Sequence, residues 1–162
     1  MLSEIEIEQL LSEIPDPEIP VINIKELGIL RNVKIENNKV SITITPTYSG
    51  CPAMRLIEDQ IKEVLAKEGI ESFDVKSVLS PAWTTDWITD EAKLKLEEYG
   101  IAPPEKGSPN KSLLDPFGPK NLRCPHCKSE SVKMVSQFGS TACKAHYKCV
   151  DCLEPFDYFK CI

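Results

Sequence analysis

Apolar and polar positions along the first hundred residues repeat first with a helical period and then with a strand period. Residues 2–13 carry apolar side chains at helical spacing, and Ser3 followed by Glu6 matches a capping box at the start of a helix. The three prolines of the segment PDPEIPV then end this helix, because proline has no backbone N–H to donate. The sequence therefore predicts a short N-terminal helix that stops at a rigid acidic loop.

A β-hairpin is predicted next. Residues 29–36 are a strand candidate, and in the run KVSITITP at 39–46 apolar and polar residues alternate. A period of two is the pattern of a strand with one buried face. The pair Asn37-Asn38 between the two runs is typical of a tight turn, so the runs are expected to pair antiparallel.

The rest of the first hundred residues alternates between helix and strand. Residues 55–67 have a helical apolar period that ends at Gly69, residues 73–80 alternate as a third strand, and residues 89–99 form another helix candidate. The order of these elements predicts an α+β fold, a small sheet with helices on one face.

Residues 101–120 have a different composition. This segment, IAPPEKGSPNKSLLDPFGPK, contains five prolines and two glycines, which is typical of a linker. The predicted organisation has three parts: a domain at 1–100, a Pro-rich linker at 101–120 and a cysteine-rich module at 121–162.

Charge and composition exclude several classes of protein. The net charge of −6 argues against nucleic acid as the main partner, although residues 120–162 carry a local excess of +3. No apolar run approaches the length that a membrane span needs. The start MLSEIEIEQLLSEI is acidic and amphipathic, unlike a secretory or transit signal, so a cytoplasmic location is expected.

The chain has seven cysteines, and six of them follow residue 123. Two C-x2-C pairs, Cys124 with Cys127 and Cys149 with Cys152, are separated by twenty-one residues. Each pair aims two thiolates at one point, and two facing pairs complete a tetrahedron, so the spacing predicts a zinc ribbon with a structural Zn²⁺. An iron or iron–sulfur centre on the same thiolates, or no metal, are the alternatives.

Two other thiols and two histidines accompany these pairs. Cys143 and Cys161 are either plain packed thiols or accessory metal or redox groups. His126 or His146 is able to replace a cysteine ligand, but four well-spaced cysteines make this unnecessary.

Cys51 stands alone between a predicted strand and a predicted helix. A helix N-terminus is expected to lower the pKa of a thiol there, which favours a nucleophile or a soft-metal ligand. The alternative is a small side chain that fills a corner. Cysteine-nucleophile catalysis is disfavoured, because both histidines lie in the tail.

Other candidate groups do not complete an active site. Asp16 and Glu18, read from the residues alone, are turn formers and solvated carboxylates. Trp83 and Trp87 are four apart and suit either the core or a partner-binding surface. No glycine-rich phosphate cradle, Ser-His-Asp arrangement or ExxH di-iron pattern is present, so an independent enzyme is the weakest interpretation.

Several longer motifs resemble a known family. DPEIPVINIKELGIL, then TITPTYSGCPAM and an amphipathic helix, resemble the iron–sulfur assembly domain family that includes SufT and the cytosolic iron–sulfur targeting factors, over residues 3–100. With AWTTDWITDEAKLKLEEYGIAPP and the tail CPHC…SQFGSTACKAHYKCVDCLEPFDYFKC, the whole chain resembles the PaaD family of the bacterial phenylacetyl-CoA epoxidase (ring 1,2-epoxidase) system.

This resemblance implies a non-catalytic accessory factor that matures or delivers iron–sulfur clusters. It implies Cys51 as the functional thiol, with Asp16 and Glu18 near it. It also implies protein partners, an oxygenase with a carboxylate di-iron centre and a reductase with flavin and a [2Fe–2S] cluster, of which the reductase is the first expected client. Since one thiolate cannot hold a cluster alone, a transient cluster would need a homodimer, a tail ligand or the client's cysteines. The rival hypothesis is a permanent structural subunit of the oxygenase complex with Cys51 merely packed.

Overall fold

The computed structural model describes residues 2–105, 119 and 121–160. Two compact units make up the structure, Met1–Trp83 and Thr84–Ile162. Each unit has its own small sheet, and together they form the mixed α+β architecture that the sequence predicts. No helix in the described ranges is long and apolar enough to cross a membrane.

The first unit is a three-stranded sheet accompanied by two helices. Strand β2 is central: β1 pairs with it antiparallel, and β3 pairs with it parallel. The elements are α1 (Glu4–Leu11), β1 (Leu30–Glu36), β2 (Lys39–Ile44), α2 (Ala53–Lys67) and β3 (Phe73–Ser77). The parallel step from β2 to β3 needs a crossover, which α2 supplies. All five elements lie where the sequence periodicity predicts them.

Local chemistry explains where these elements begin. The capping box of α1 is present, since the Glu6 N–H donates to the Ser3 hydroxyl and the Ser3 N–H donates to the Glu6 carboxylate at 2.7 Å. In the hairpin, Glu36 pairs with Lys39, so the turn contains two residues. Asn37 and Asn38 have φ angles of 50° and 61°, as the hairpin turn with two left-handed residues requires.

The core of the first unit follows the predicted apolar positions. Val40, Ile42 and Ile44 are the buried residues of β2, and the fully buried positions of α2 recur at helical spacing as Ile57, Ile61 and Leu65. Trp83 is also buried, and its indole N–H donates to the Leu27 carbonyl at 2.9 Å. Of the two interpretations of the tryptophans, core packing is therefore the correct one for Trp83.

The second unit is built around a four-stranded sheet in the order β4-β7-β6-β5. Three strands form an antiparallel meander, and β4 joins its edge in parallel with β7. The elements are a 3₁₀ turn (Thr85–Trp87), α3 (Asp90–Glu98), β4 (Ile101–Ala102), β5 (Val132–Ser136), β6 (Lys144–Cys149) and β7 (Pro155–Phe159). The predicted helix at 89–99 is α3, with the Thr89 hydroxyl accepting from the Ala92 N–H at 3.1 Å.

Aromatic rings and cysteines share the small core of the second unit. Tyr147 stacks on Phe156 with ring centroids 5.8 Å apart and meets Tyr158 edge to face at 6.0 Å. The buried cluster around these rings includes Cys124 and Cys149. These two cysteine side chains are thus part of the hydrophobic core and do not lie on its surface.

The compact units do not divide at residue 100. Helix α3 and strand β4 belong to the second unit, because Ile101 and Ala102 pair with β7 and the Glu97 carboxylate forms an ion pair with Lys128. Most of the predicted linker, residues 106–118 and 120, lies outside the described residues. The division into 1–100, 101–120 and 121–162 stays a prediction.

We expect Asn38→Val to lower the free energy of unfolding by about 1–2 kcal/mol, because a β-branched residue is strained at the φ of 61° in the hairpin turn. Equilibrium urea unfolding of the full chain measures the change. The adjacent Lys39→Val is the control, since Lys39 lies in the strand and its effect should stay within about 0.5 kcal/mol. Equal losses in the two variants would contradict a special role of the turn.

Candidate functional site

The four knuckle cysteines converge on one point. Their sulfur atoms all lie within 4.8 Å of one another, with Cys124 to Cys152 at 3.7 Å and Cys127 to Cys149 at 3.5 Å. A tetrahedral zinc with Zn–S bonds of about 2.3 Å needs sulfurs roughly 3.8 Å apart. The donor set and its spacing therefore fit a closed four-thiolate metal centre, and the structure brings together the quartet that the sequence spacing predicts.

Each cysteine pair sits in the same kind of tight backbone turn. In the first turn the Lys128 N–H donates to the Cys124 carbonyl at 2.9 Å, and the Cys124 N–H donates to the Ser129 carbonyl at 2.9 Å. The second turn is closed by the Cys149 N–H, which donates to the Glu154 carbonyl at 3.0 Å. The two turns thereby present their sulfurs toward a common centre.

Both turns place a left-handed residue directly after their second cysteine. Lys128 has a φ of 64° and Leu153 a φ of 65°. Glycine adopts this conformation without cost, whereas a residue with a Cβ pays about 1 kcal/mol or more. Neither side chain was singled out from the sequence, because nothing in the local pattern marks the conformation.

Backbone N–H groups and neighbouring sulfurs give these thiols unequal acidity. The N–H groups of Cys152 and Asp151 donate to the Cys149 sulfur and lower its pKa to about 7. The Glu154 N–H favours the Cys152 thiolate, but burial and hydrogen bonds among the sulfurs outweigh it and raise the pKa of Cys152 to about 12. A cation bound by all four sulfurs would displace the remaining protons.

The other metal-ligating groups of the tail lie apart from the quartet. His146 Nδ1 lies 3.2 Å from the Asp157 carboxylate, and the His126 ring lies beside Gly100. Cys143 is buried, with its sulfur 3.1 Å from the Thr141 hydroxyl. Within the described ranges, the quartet is the one cluster of at least three His, Cys, Asp or Glu ligands with converging donor atoms. Cys161 lies outside the described residues.

Cys51 occupies the corner between β2 and α2. The Cys51 N–H donates to the Tyr48 carbonyl at 3.3 Å, and α2 begins two residues later at Ala53. The sulfur is half-buried and accepts hydrogen bonds from the Ala53 N–H and the Tyr48 hydroxyl. Tyr48 was not identified from the sequence, although it lies in the same TYSGCP turn, because its contact with the sulfur depends on how the turn folds.

Asp16 and Glu18 act on the same thiol. The buried Asp16 carboxylate accepts from the N–H groups of Glu18 at 2.9 Å and Ile19 at 2.8 Å, which holds the acidic loop in shape. Both carboxylates lie within electrostatic reach of Cys51 and disfavour its thiolate. The charges of both carboxylates thus influence the thiol, yet the three sequence-predicted residues do not form a preassembled chelate among the described residues.

The predicted lowering of the Cys51 pKa is wrong. Burial is the largest effect and raises the pKa of the thiol above its ordinary value, and Glu18 and Asp16 raise it further. Hydrogen bonds from Ala53 and Tyr48 oppose this shift but do not overcome it. Cys51 is consequently a shielded neutral thiol at pH 7 rather than an activated nucleophile.

We expect Glu18→Gln to speed the alkylation of Cys51 by iodoacetamide at about pH 8 severalfold, because removing the carboxylate charge removes one cause of the raised pKa of the thiol. Tyr48→Phe should slow the reaction, since it removes a hydrogen bond to the thiolate. Mass spectrometry of the Cys51 peptide follows each rate, with the exposed Glu13→Gln as control. Faster alkylation in Tyr48→Phe would contradict this account of the pKa.

Two family descriptions match the chain, one for each unit. "Iron-sulfur cluster assembly protein" matches residues 4–79, and "PaaD zinc beta ribbon domain" matches residues 108–160. A crystal structure of a domain of unknown function, DUF59, from Bacillus anthracis has 30% identity and a TM-score of 0.54, and the match covers 57% of this chain and 90% of that chain. The fold of the first unit is thus shared with that domain.

Curated relatives support the same assignment. A Staphylococcus aureus Fe–S protein maturation auxiliary factor, SufT, is 39% identical over 83 residues, which is 50% of this chain and 93% of that protein. An Escherichia coli protein provisionally named as the D component of 1,2-phenylacetyl-CoA epoxidase is 50% identical over 157 residues, 97% of this chain and 92% of that protein. These matches support an accessory role in iron–sulfur protein maturation. The chain belongs to the PaaD family of phenylacetyl-CoA epoxidase components, in which an iron–sulfur cluster assembly domain precedes a zinc β-ribbon.

Proposed function

We propose that the protein is a non-catalytic maturation factor of a phenylacetyl-CoA epoxidase system, which helps to insert an iron–sulfur cluster, or iron, into a client protein through Cys51. The observation that carries the proposal is the Cys51 corner, where a half-buried thiol lies within the electrostatic influence of Glu18 and Asp16 on an iron–sulfur assembly domain. The cluster or iron is cargo in this proposal, not a resident cofactor.

The ligand count decides how the cargo is held. Iron–sulfur clusters are held by several thiolates, whereas the first unit contains one cysteine. The remaining ligands therefore come from outside the first unit: from the client's own cysteines, from a second copy of this chain or from a thiol of the tail. Carboxylates suit iron as hard ligands, so Glu18 and Asp16 are proposed to assist during the transfer.

The raised pKa of Cys51 suits a transient ligand. A protonated thiol resists oxidation and alkylation while no cargo is present. An iron centre brought close to it supplies positive charge that offsets Glu18 and Asp16 and favours the thiolate. Cys51 would thus become a ligand when a partner presents iron, and would return to the neutral thiol when the cargo leaves.

The reductase is the proposed first client. The name of the E. coli relative links this family to an epoxidase, and the relatives of the first unit are named as Fe–S maturation factors. The family resemblance implies a reductase with a [2Fe–2S] cluster in such a system, and we propose it as the component that receives the cluster. Six free thiols in the described chain suit the reducing cytoplasm, which is the proposed location.

The quartet of Cys124, Cys127, Cys149 and Cys152 is proposed to hold a structural Zn²⁺. Four thiolates leave no open position for substrate, and the small core beside them gains folding energy from a bound metal. Bound Zn²⁺ here supplies a fixed cross-link and no catalytic step.

A second candidate function is a permanent structural component of the oxygenase complex. The half-burial of Cys51 and its raised pKa favour this alternative, because they also describe an inert packed thiol. Purification from cells separates the two functions. A stoichiometric complex with the oxygenase supports the structural component, and substoichiometric capture of a cluster-free client supports the maturation factor.

We expect about one zinc per chain in the purified protein and a large loss of zinc in Cys127→Ser, because that variant removes one of four ligands. Elemental analysis after dialysis measures the metal. Cys143→Ser is the matched control, as Cys143 lies in the same unit but outside the quartet, and it should keep its zinc. Iron in place of zinc would contradict the proposed metal, and full zinc in Cys127→Ser would contradict the proposed ligand set.

We expect Cys51→Ser to reduce the iron and acid-labile sulfide content of the co-expressed reductase severalfold, because the variant removes the proposed transfer ligand. Anaerobic purification followed by iron and sulfide analysis measures the effect. Ser49→Ala, two residues away in the same turn, is the control and should leave the cluster content unchanged. Equal cluster content with wild type and Cys51→Ser would overturn the proposed function.

A further inference from the structure

The outer face of β5 and β6 carries two lysines side by side. Lys133 and Lys148 are directly opposite each other in the antiparallel register, and both are exposed. Like charges in this position repel each other and destabilise a sheet. Within the described chain neither lysine has a carboxylate partner. The pair is therefore a local excess of positive charge that no carboxylate of the described residues neutralises.

Apolar side chains adjoin the two lysines. Val135 is 60% exposed, Val150 is 57% exposed and Leu153 is 64% exposed. Together with Lys133, Lys148, Met134 and the candidate metal ligand Cys149 they line a groove of about 500 Å³, which we name the knuckle groove. Val150 follows Lys148 by two residues, and its N–H donates to the Ser131 carbonyl at 2.8 Å. The exposed part of the groove combines the three apolar side chains with the two lysines.

Leu153 is held in the groove at a conformational cost. Its φ of 65° suits glycine, yet the position carries a large apolar side chain that is mostly in water. The backbone of the turn does not require a leucine, because glycine adopts the same conformation with less strain. The side chain is therefore best explained by a contact outside the described chain.

We infer that the knuckle groove docks an acidic segment of a client protein, with two apolar side chains of that segment packed on Val150 and Leu153 and its carboxylates paired with Lys133 and Lys148. Charge complementarity favours this occupant: the lysine pair has no counter-charge among residues 2–105, 119 and 121–160, and the apolar side chains of the groove offer nothing to a phosphate backbone. The inference rests on the proposed function, because it needs a client.

The test uses the full-length, zinc-loaded protein and the purified reductase and oxygenase components as probes, with affinity measured by calorimetry. We expect Leu153→Gly and Val150→Asp each to weaken binding to one component by about tenfold or more, since they remove central apolar anchors. Leu153→Gly should do so without lowering zinc content or the thermal midpoint, because it relieves strain in the turn. Lys133→Gln with Lys148→Gln should weaken binding and flatten its dependence on salt.

Two control variants separate docking from effects on the metal centre. Lys128→Gly makes the same change at the equivalent position of the first turn, and Leu94→Asp adds a charge at an exposed leucine of α3. Both should leave the affinity unchanged. Equal weakening by Lys128→Gly and Leu153→Gly would overturn the inference, since the effect would then act through the metal centre.

Several other outcomes would also overturn the inference. Binding of neither component by the wild type, or equal binding by wild type and groove variants, overturns it. Dimerisation of the protein alone that Leu153→Gly abolishes, or binding of a single-stranded DNA oligonucleotide that depends only on the lysines, overturns it in favour of another occupant. The proposed function is judged separately by the cluster content of the reductase with Cys51→Ser, so failure of one is distinct from failure of the other.

Discussion

Four sulfur atoms must meet at one point for the second unit to exist in its observed form. Cys124 and Cys127 lie before β5, whereas Cys149 and Cys152 lie at the end of β6, so only the β5–β6 hairpin brings the two turns together. The aromatic cluster of Tyr147, Phe156 and Tyr158 is small, and modules with so few apolar residues depend on a metal or disulfide for stability. The register of the meander, the burial of the rings and the shape of both turns are all compatible with closing this quartet.

In the first unit, burial and hydrogen bonding have opposite effects on the pKa of one thiol, that of Cys51. Its position after a central strand and before a helix would normally expose and activate a cysteine. Here the rigid acidic loop places Asp16 and Glu18 where their charge opposes ionisation. Burial of the sulfur and the charges of this loop together keep the thiol neutral, and burial is the larger of the two effects. A cation close to the sulfur would oppose both effects.

Sequence patterns identified most of the architecture but not the interactions between distant segments. The capping box at Ser3, the Asn37-Asn38 turn and the C-x2-C pairs are local signals with direct physical causes, and each is present in the structure. The pairing of Ile101 with Asp157 was missed, because a two-residue strand leaves no periodicity to detect. The direction of the pKa shift of the Cys51 thiol was also predicted wrongly. Burial and the distance to Glu18 depend on the folded chain, whereas the helix N-terminus is visible in the sequence.

Cys124 and Cys149 are metal-ligand candidates and buried core residues at the same time. A bound cation would hold these two core residues in place, so metal binding and packing of the apolar cluster are expected to be coupled. By thermodynamic linkage, each tenfold rise in free metal above the dissociation constant adds about 1.4 kcal/mol to the stability of the folded module. The free zinc concentration of the cell would then set the fraction of folded ribbon. Scarcity of zinc would thereby limit a protein whose proposed role is to help supply iron to a client.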